Sequence, residues 1–221
     1  VTVLNNGSST NWNQKWNGGF DVNLKNGTYQ NLTFQDMTFV GNGLGYEEGA
    51  ALMIKARDDG ATYSASPATL TNVRILGGTY TGNERGIRMG EPGKSNATPT
   101  GVVIRNANIS LNIGDRSDGS FYGGVINHAL SIVDARGNWW GNSTGPFHTT
   151  LNPLGQGNAV SDRVLFDPWM RLNVWVADDS YYLDEDQTLT VSAELGVLAN
   201  DFDAFGDALT AINYSQPQHG S

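Results

Sequence analysis

The chain has 221 residues and no cysteine, which excludes disulfide bridges and thiolate metal sites. It has no run of about 18 apolar residues, so the sequence predicts no membrane insertion. Basic residues are few, 13 against 22 acidic ones, and they form no stripe of the kind that binds nucleic acid. No segment keeps a helical hydrophobic period over about 11 residues. The 28 glycines, with frequent Asn, Thr and Ser, are instead typical of a turn-rich all-β protein.

The acidic residues are unevenly distributed along the chain. Residues 1–176 carry 13 basic and 13 acidic side chains, so the whole net charge of −9 lies in residues 177–221, which contain no Lys or Arg. So sharp a break predicts a second module that begins near Ala177. The sequence opens in strand-like residues without a Met or a signal peptide and stops at a turn-like end, so we expect it to be part of a longer multidomain chain.

Short alternating strands with Gly/Asn turns recur along the first module. The repeats are Asn31–Asn42, Asn72–Asn83, Gly101–Asn112 and Ala129–Trp140, whose starts lie 41, 29 and 28 residues apart. The first three are each followed by another short strand-like segment, and these are Gly49–Ala56, Arg85–Glu91 and Gly124–His128. A period near 30 residues predicts a solenoid of stacked parallel rungs, with Leu, Ile, Val, Phe and Met filling the interior.

A tryptophan-rich segment closes the repeats. Residues Gly137–Trp169 read GNWWGNSTGPFHTTLNPLGQGNAVSDRVLFDPW. The segment is similar to the closing segment of many bacterial secreted β-helices, and the repeats over Val1–Arg171 resemble right-handed parallel β-helix proteins of the pectate-lyase type. The resemblance implies a right-handed parallel β-helix in a secreted or cell-surface protein. A solenoid must also cover its last apolar rung, and the segment supplies the aromatic residues for that cover, which are Trp139, Trp140, Phe147, Phe166 and Trp169.

The second module, residues 177–221, resembles the first half of a cadherin-like, Ig-type repeat of bacterial surface proteins. The matching residues are Ala177–Asp179, Glu185–Asp186, Gly196–Asp201, Asp203, Gly206–Asp207 and Leu209–Thr210. The resemblance implies a truncated β-sandwich that binds calcium. The spacing of the carboxylates also suits a hard cation, which takes six to eight oxygen ligands. The candidate ligands are Asp178, Asp179, Glu185, Asp186, Asp201, Asp203 and Asp207, and the alternative is a solvated acidic surface.

A mixed-charge patch is expected where two neighbouring rungs carry charges at corresponding places. Lys55, Arg57 and Asp58 end one strand, and Arg88 and Glu91 lie one rung on. Stacking brings such positions to about 4.8 Å. In β-helix lyases that act on uronate polymers, a Lys or Arg removes the proton beside a carboxylate, so these five residues are the catalytic candidates if the protein is an enzyme. Surface ion pairs are the alternative.

Further residues around the patch are candidates for substrate contact or for hydrolysis. Tyr46, Arg85 and Lys94 are the candidates for substrate binding. Tyrosines stack on sugar rings, and Arg85 and Lys94 belong to the mixed-charge patch. Asp58 or Asp59 with Glu84 or Glu91 would supply the two carboxylates of a glycoside hydrolase, although the motif set of the β-helix polygalacturonases is not reproduced. His128 and His148 are isolated, and no zinc-site spacing is present.

The repeats and the closing segment are clear, whereas no catalytic constellation stands out. We therefore expect a non-catalytic β-helix module of a secreted or surface-attached bacterial protein, which binds a polysaccharide or cell-surface glycan or acts as a rigid spacer. Two alternatives stay open, a polysaccharide lyase or glycoside hydrolase that acts in the side groove, and a filament or surface-layer subunit. An enzyme is expected to place Lys55, Arg57 or Arg88 in one groove with an acidic or calcium partner. A binder is expected to show a flat row of exposed aromatics or Thr/Asn, and a filament an open rung edge that meets a neighbour's.

Overall fold

The chain is all-β and divides into two compact units, Val1–Arg171 and Leu172–Ser221. The computed structural model describes residues 1–7, 18–45, 48–114, 122–171, 174–184, 186–203 and 209–211. Among these residues there is one five-residue α-helix, α1 (Gly60–Ser64), in the loop after the fifth strand. No helix in the described ranges is long and apolar enough to cross a membrane.

Thirteen short strands lie in the described residues of the first unit. They are β1 Thr2–Leu4, β2 Gly18–Leu24, β3 Gly27–Gln35, β4 Thr38–Val40, β5 Ala50–Ala56, β6 Ala68–Leu76, β7 Thr79–Thr81, β8 Ile87–Met89, β9 Thr100–Arg105, β10 Asn108–Ser110, β11 Val125–Asn127, β12 Val133–Asp134 and β13 Val164–Leu165. They form three sheets with the orders β1-β4-β7-β10 (sheet 1), β2-β5-β8-β11 (sheet 2) and β3-β6-β9-β12-β13 (sheet 3).

All pairings within these three sheets are parallel, and each strand pairs with its equivalent in the next repeat. In sheet 3, Leu32 lies opposite Val73, Val73 opposite Val102, and Val102 opposite Val133. The all-β prediction with parallel sheets is confirmed, and the arrangement is compatible with a solenoid. Residues Val1–Leu24, which are less regular in sequence, contribute β1 and β2, the first strands of sheets 1 and 2.

The fourth repeat lies three residues later than its sequence alignment indicates. That alignment places Leu130 opposite Val102, whereas Val133 pairs with Val102 and Leu130 is 55% exposed. The connections on both sides of β11 differ in length from those around β8: the one before β11 is longer, and the turn after it, where Asn127 Oδ1 accepts the N–H of Ala129 at 3.0 Å, is shorter. Because the strands on either side of the turn are only two or three residues long, their apolar pattern alone did not reveal the shift.

Apolar side chains stack in ladders inside the first unit. Phe39 of β4 and Tyr80 of β7 stack with ring centroids 5.2 Å apart, and Ile109 of β10 continues their row. All three side chains are inaccessible to solvent. Parallel pairing in register places like residues above one another, so each rung buries the apolar surface of the next.

A ladder of buried asparagines, Asn42, Asn83, Asn112 and Asn158, follows one corner of the first unit. Each side-chain Nδ2 donates to Oδ1 of the next member, at 2.9, 3.0 and 3.1 Å in order. The same Oδ1 atoms accept the backbone N–H of the preceding member at 2.9, 3.0 and 2.9 Å. The ladder thereby satisfies polar groups that the turns leave inside the protein.

The closing segment covers the last strands of two sheets. Trp139 bridges to Asn108 of β10, and Val160 bridges to Val125 of β11. Trp140 is fully buried in the core. Trp169 packs against this core, and its Nε1 donates to the carbonyl of Ser143 at 3.0 Å. His148 is buried and its Nδ1 accepts the N–H of Leu151 at 3.2 Å, so it holds a turn of this segment.

The second unit contains two described strands, β14 (Val174–Trp175) and β15 (Phe202–Asp203), which pair antiparallel. A short 3₁₀ helix spans Ala193–Leu195. The N–H of Ala177 donates to Oδ1 of Asp201 at 2.8 Å. Asn200 Nδ2 donates to the carbonyl of Asp178 at 3.2 Å, which ties both ends of the described segment together.

Candidate functional site

The candidate site lies on the face of sheet 2 that points away from the core. Register places Asp21, Met53, Arg88 and Ile126 in one row across β2, β5, β8 and β11. Their strand neighbours, such as Ile87 and Met89, belong to the core, so this row lies on the opposite face. Arg88 is nevertheless fully buried, and Lys55 on the same face of β5 is 3% exposed. The face is therefore a second buried layer that contains charges.

Lys55 lies between two carboxylates from neighbouring strands. Its Nζ is 3.1 Å from Oδ2 of Asp21 and 3.7 Å from Oε2 of Glu91. The Glu91 side chain is 11% exposed, and its other oxygen is 3.6 Å from Nη1 of Arg57. Glu91 therefore links Lys55 to Arg57 and joins the ends of β5 and β8.

Arg57 and two aspartates fix the loops beyond those strands. Arg57 donates from Nε and Nη2 to both oxygens of Asp59 at 2.7 and 2.8 Å, and its guanidinium lies 4.4 Å from the ring centroid of Tyr63. The buried Asn96 donates from Nδ2 to Asp58 at 2.6 Å and to Asp59 at 3.1 Å. The hydrogen bonds from Arg57 outweigh burial and lower the pKa of Asp59 to about 2. The same bonds raise the pKa of Arg57.

Glu48 and His128 form a second group of charged side chains, beside Arg88 of β8. Arg88 Nη1 donates to the carbonyl of Glu48, and it is 3.7 Å from Glu48 Oε2. His128 Nε2 is 3.6 Å from the same carboxylate oxygen. Burial alone would raise the pKa of Glu48, but the neighbouring His128 and the charges of Arg85 and Arg88 lower it overall. Burial lowers the pKa of Arg88.

The structure brings most of the predicted catalytic residues into one network of charges. Lys55, Arg57 and Glu91 are joined directly, and Asp58 enters through Asn96. Arg88 lies on the same sheet face with its own acidic partner, Glu48. Each predicted cation therefore has a carboxylate beside it, and both Lys55 and Arg88 are buried.

The predicted substrate-binding residues have different surroundings. Arg85 is 1% exposed, whereas Lys94 is 46% exposed and lies 3.9 Å from Asp59. Tyr46 lies outside the described residues. Glu84, an alternative hydrolytic carboxylate, accepts the N–H of Gly45 at 3.0 Å.

Sequence reasoning missed Asp21, Glu48, Asn96 and the pairing of His128. Asp21 and Lys55 are 34 residues apart, and Arg88 and Glu48 are 40 apart, so one repeat separates each pair. Alternation within β2 would have placed Asp21 on the outward face, two residues before an exposed Asn23. No local pattern indicated that Glu48, in the turn before β5, would face Arg88.

The other outward surface of interest is the exposed face of sheet 3. Rows of hydroxyl and amide side chains cross it, with Thr28 opposite Thr69, and Gln30, Thr71 and Thr100 in line. Adjacent members of a row are spaced by the distance between strands, about 4.8 Å. These two rows are polar and at least partly exposed, in contrast to the buried outward face of sheet 2.

Farther along sheet 3, two arginines clamp one aspartate. Arg136 donates to both oxygens of Asp134 at 2.8 and 2.7 Å, and Arg105 Nη2 lies 2.5 Å from Oδ2. The hydrogen bonds of Arg136, followed by those of Arg105, hold the pKa of Asp134 well below its usual range. Arg74, an exposed neighbour in the same row, adds a further positive charge to this end of the face.

The predicted calcium ligands divide between described and undescribed residues. Glu185 and Asp207 lie outside the described ranges, and Asp178, Asp179, Asp186, Asp201 and Asp203 lie within them. In the described part of the chain, no three or more His, Cys, Asp or Glu side chains are grouped so that they could hold a metal ion. The described ligands alone therefore do not form a calcium site.

Comparison with known proteins gave no relative for this chain: no family model, no curated protein and no solved structure matches it.

Proposed function

We propose that residues 1–171 are a right-handed parallel β-helix that serves as a rigid, non-catalytic binding module of a secreted or surface-attached bacterial protein. Three parallel sheets, with neighbouring strands one repeat apart, support the β-helix. The asparagine ladder and the aromatic closing segment support a rigid rod with a covered end. What such a rod binds depends on the surfaces that it presents.

The burial of the candidate catalytic cations is the observation that carries the non-catalytic proposal. A base must reach the proton that it removes. Lys55 is 3% exposed and lies between Asp21 and Glu91, and Arg88 is fully buried beside Glu48. These ion pairs within the chain stabilise the stacking of β2, β5 and β8. They leave little unpaired charge for contact with a polymer ligand.

The exposed face of sheet 3 is the surface that we propose contacts carbohydrate. Its rows of Thr and Gln offer donors and acceptors at a regular spacing, and the parallel strands hold them rigid. A rigid surface loses little conformational entropy when it binds, which favours affinity. The arginines at its far end, Arg74, Arg105 and Arg136, would favour acidic glycans, and Asp134 neutralises part of that charge.

A lyase or hydrolase is the second candidate, and one observation favours it. Oε2 of Glu48 and Nε2 of His128 are buried and make no hydrogen bond within the described structure. Such groups are costly to leave unsatisfied and cluster at functional sites. A sugar hydroxyl or a water within hydrogen-bond distance of both atoms would satisfy them.

One experiment separates the two candidates. The full chain is run by affinity electrophoresis through gels with pectate, alginate, chondroitin sulfate or xylan, and the same polymers are assayed for unsaturated products and reducing ends with added Ca²⁺. We expect retardation without cleavage, and about tenfold weaker retardation in Thr71→Glu. Thr149→Glu, in an exposed turn of the closing segment, is the control. Cleavage that is lost in His128→Ala would overturn the non-catalytic proposal, and no retardation by any polymer would overturn glycan binding.

For the second unit, we propose the first half of a calcium-binding, Ig-like repeat. Nine acidic side chains without a basic one support it, as do the hydrogen bonds that hold Asp178 near Asn200 and Ala177 near Asp201. Calorimetric titration of the full chain with CaCl₂ tests it. We expect saturable binding that Asp201→Asn weakens and that Asp162→Asn, at an exposed site in the first unit, leaves unchanged. Absence of binding heat at every temperature used would sink the calcium proposal.

A further inference from the structure

The carboxylate of Asp134, on the outward face of sheet 3, is saturated with hydrogen bonds. Its Oδ1 accepts the backbone N–H and the Nε–H of Arg136 at 3.4 and 2.8 Å. Its Oδ2 accepts from Nη2 of Arg136 at 2.7 Å and from Nη2 of Arg105 at 2.5 Å. These bonds fill the roughly four lone-pair positions of a carboxylate. Asp134 therefore offers no free acceptor to a ligand, and it holds both guanidinium groups beside each other.

The two arginines retain N–H donors that Asp134 does not take. A guanidinium has about five N–H groups, and Arg136 uses its Nε and Nη2 for Asp134. Arg105 also donates from Nη1 to the carbonyls of Ile104 and Asp134 at 3.0 and 2.7 Å. The side chains of Arg136 and Arg105 are 47% and 28% exposed, so a ligand reaches their remaining donors. This part of the face thus offers hydrogen-bond donors without a free carboxylate acceptor.

Arg74 adds a third guanidinium group beside them. The register of sheet 3 places Arg74 opposite Val103, and Leu76, two residues along β6, opposite Arg105. A strand spacing of about 4.8 Å and a rise of about 3.3 Å per residue place Arg74 and Arg105 about 8 Å apart at the backbone. Arg74 is exposed, and within the described residues it makes no hydrogen bond or ion pair. An anion that binds Arg74 therefore breaks no contact among those residues.

Partly buried apolar side chains lie among the three arginines. Val103 and Leu76 are outward neighbours on β9 and β6, and both are between buried and exposed. Apolar surface keeps water away from nearby charges and so reduces their screening. The exposed Asp167, which follows β13, forms no ion pair with the three arginines in the described structure. Positive charge therefore remains in excess here even when both Asp134 and Asp167 are counted.

We propose that Arg74, Arg105 and Arg136 form a subsite for an anionic oxygen group of a glycan, either a carboxylate or a sulfate ester. This inference rests on the proposed glycan binding by the same sheet face, and it names the chemical group that the face recognises. Both groups present a negative charge on two or more terminal oxygens, which suit the donors of neighbouring guanidinium groups. The Thr and Gln rows of sheet 3 then contact the hydroxyl groups of the same polymer.

Asp134 is the positioning residue of this subsite. Like charges on neighbouring strands repel each other, and the shared carboxylate holds Arg105 and Arg136 together before a ligand binds. Side chains that are already held in place lose less entropy on binding. Asp134→Asn adds positive charge but releases both side chains. We expect its affinity for the preferred anionic polymer to fall about threefold, with affinity for a neutral polymer unchanged, and tighter binding to the anionic polymer would overturn the positioning role.

Matched polymers separate the contribution of the anionic group from that of the sugar backbone. Biolayer interferometry at near-physiological salt measures binding of the full chain to immobilised pectate, methyl-esterified pectin, chondroitin sulfate and unsulfated chondroitin. The first two share a backbone and differ in free carboxylates, and the last two share a backbone and differ in sulfate esters. Preference for pectate over pectin identifies a carboxylate as the bound group, and preference for chondroitin sulfate over chondroitin identifies a sulfate ester. Equal affinity within both pairs would overturn the subsite.

Arg74→Gln tests the subsite without removing a contact that holds the fold. It should weaken binding to the preferred anionic polymer about fivefold and leave binding to the less charged member of the pair unchanged. Lys25→Gln, which removes an exposed charge from the turn between β2 and β3, is the matched control and should change neither. If Arg74→Gln behaves like Lys25→Gln, the subsite is overturned while glycan binding stands. Absence of binding to every polymer would overturn both proposals.

Discussion

Replacing Lys55 with methionine removes the cation that lies between two carboxylates of neighbouring strands. Methionine keeps most of the volume of the side chain, so packing changes little. Asp21 is 36% exposed and becomes hydrated, whereas Glu91 is 11% exposed and retains only Arg57 at 3.6 Å. Removing one partner of a buried pair costs about 3–5 kcal/mol. The exposure of Asp21 and the remaining Arg57 reduce the expected loss to about 2–3 kcal/mol.

Urea unfolding followed by tryptophan fluorescence measures this loss at neutral pH. Lys94→Met is the matched control, because Lys94 is 46% exposed and 3.9 Å from Asp59, and it should cost less than about 0.5 kcal/mol. The double variant Lys55→Met/Glu91→Gln should recover about 1–2 kcal/mol, since the uncompensated carboxylate is gone. A Lys55→Met protein as stable as the control, or an absence of coupling to Glu91, would refute the role of Lys55 as a structural link between rungs.

Three further predictions concern stability and use the same urea assay. Asn83→Ala removes bonds to Asn42 and Asn112 of the buried ladder and should cost about 3 kcal/mol, against little for the exposed Asn23→Ala. Asp59 has an ordinary pKa of 3.8, which folding lowers to about 2. Its contribution to the free energy of unfolding is therefore complete above pH 3.8 and is lost as the pH falls through the pKa of the folded state. Asp59→Asn should therefore cost about 1–2 kcal/mol at neutral pH and much less at pH 2; an equal cost at both would contradict the assignment. Gly78→Ala places Cβ 2.3 Å from the carbonyl of Met37 and should be far more destabilising than Gly82→Ala, which shares a positive φ but meets no atom within 4 Å.

Repetition in the sequence predicted the strands and most of their register. The alignment of Asn31 with Asn72 and Gly101 agrees with the observed pairing of Leu32 with Val73 and Val102. The closing Gly-Asn steps at Asn42 and Asn83 mark two members of the buried ladder. Local rules sufficed there because each repeat carries the same alternation and the same turn. At the fourth repeat the connections before and after β11 change length, and the pattern of two-residue β12 was too short to reveal the shift.

The charged residues of the candidate site were predicted, but their partners and burial were not. Lys55, Arg88 and Glu91 stood out because the sequence predicted corresponding places for them in neighbouring repeats, whereas the register places Arg88 opposite Met53. The sequence suggested a groove open to solvent, whereas Lys55 and Arg88 are buried and paired with Asp21 and Glu48. Accessibility depends on what packs across a strand's outer face, and that packing comes from segments one repeat away.

The sequence by itself determined that this protein is all-β with parallel sheets, since alternation, Gly/Asn turns and a period near 30 residues are local and repeated. Only the tertiary structure decided which outward faces meet solvent and which carboxylate neutralises each cation. The physical reason is that strand formation depends on neighbours along the chain, whereas burial and charge pairing depend on residues that stacking brings together from 30 to 40 positions away.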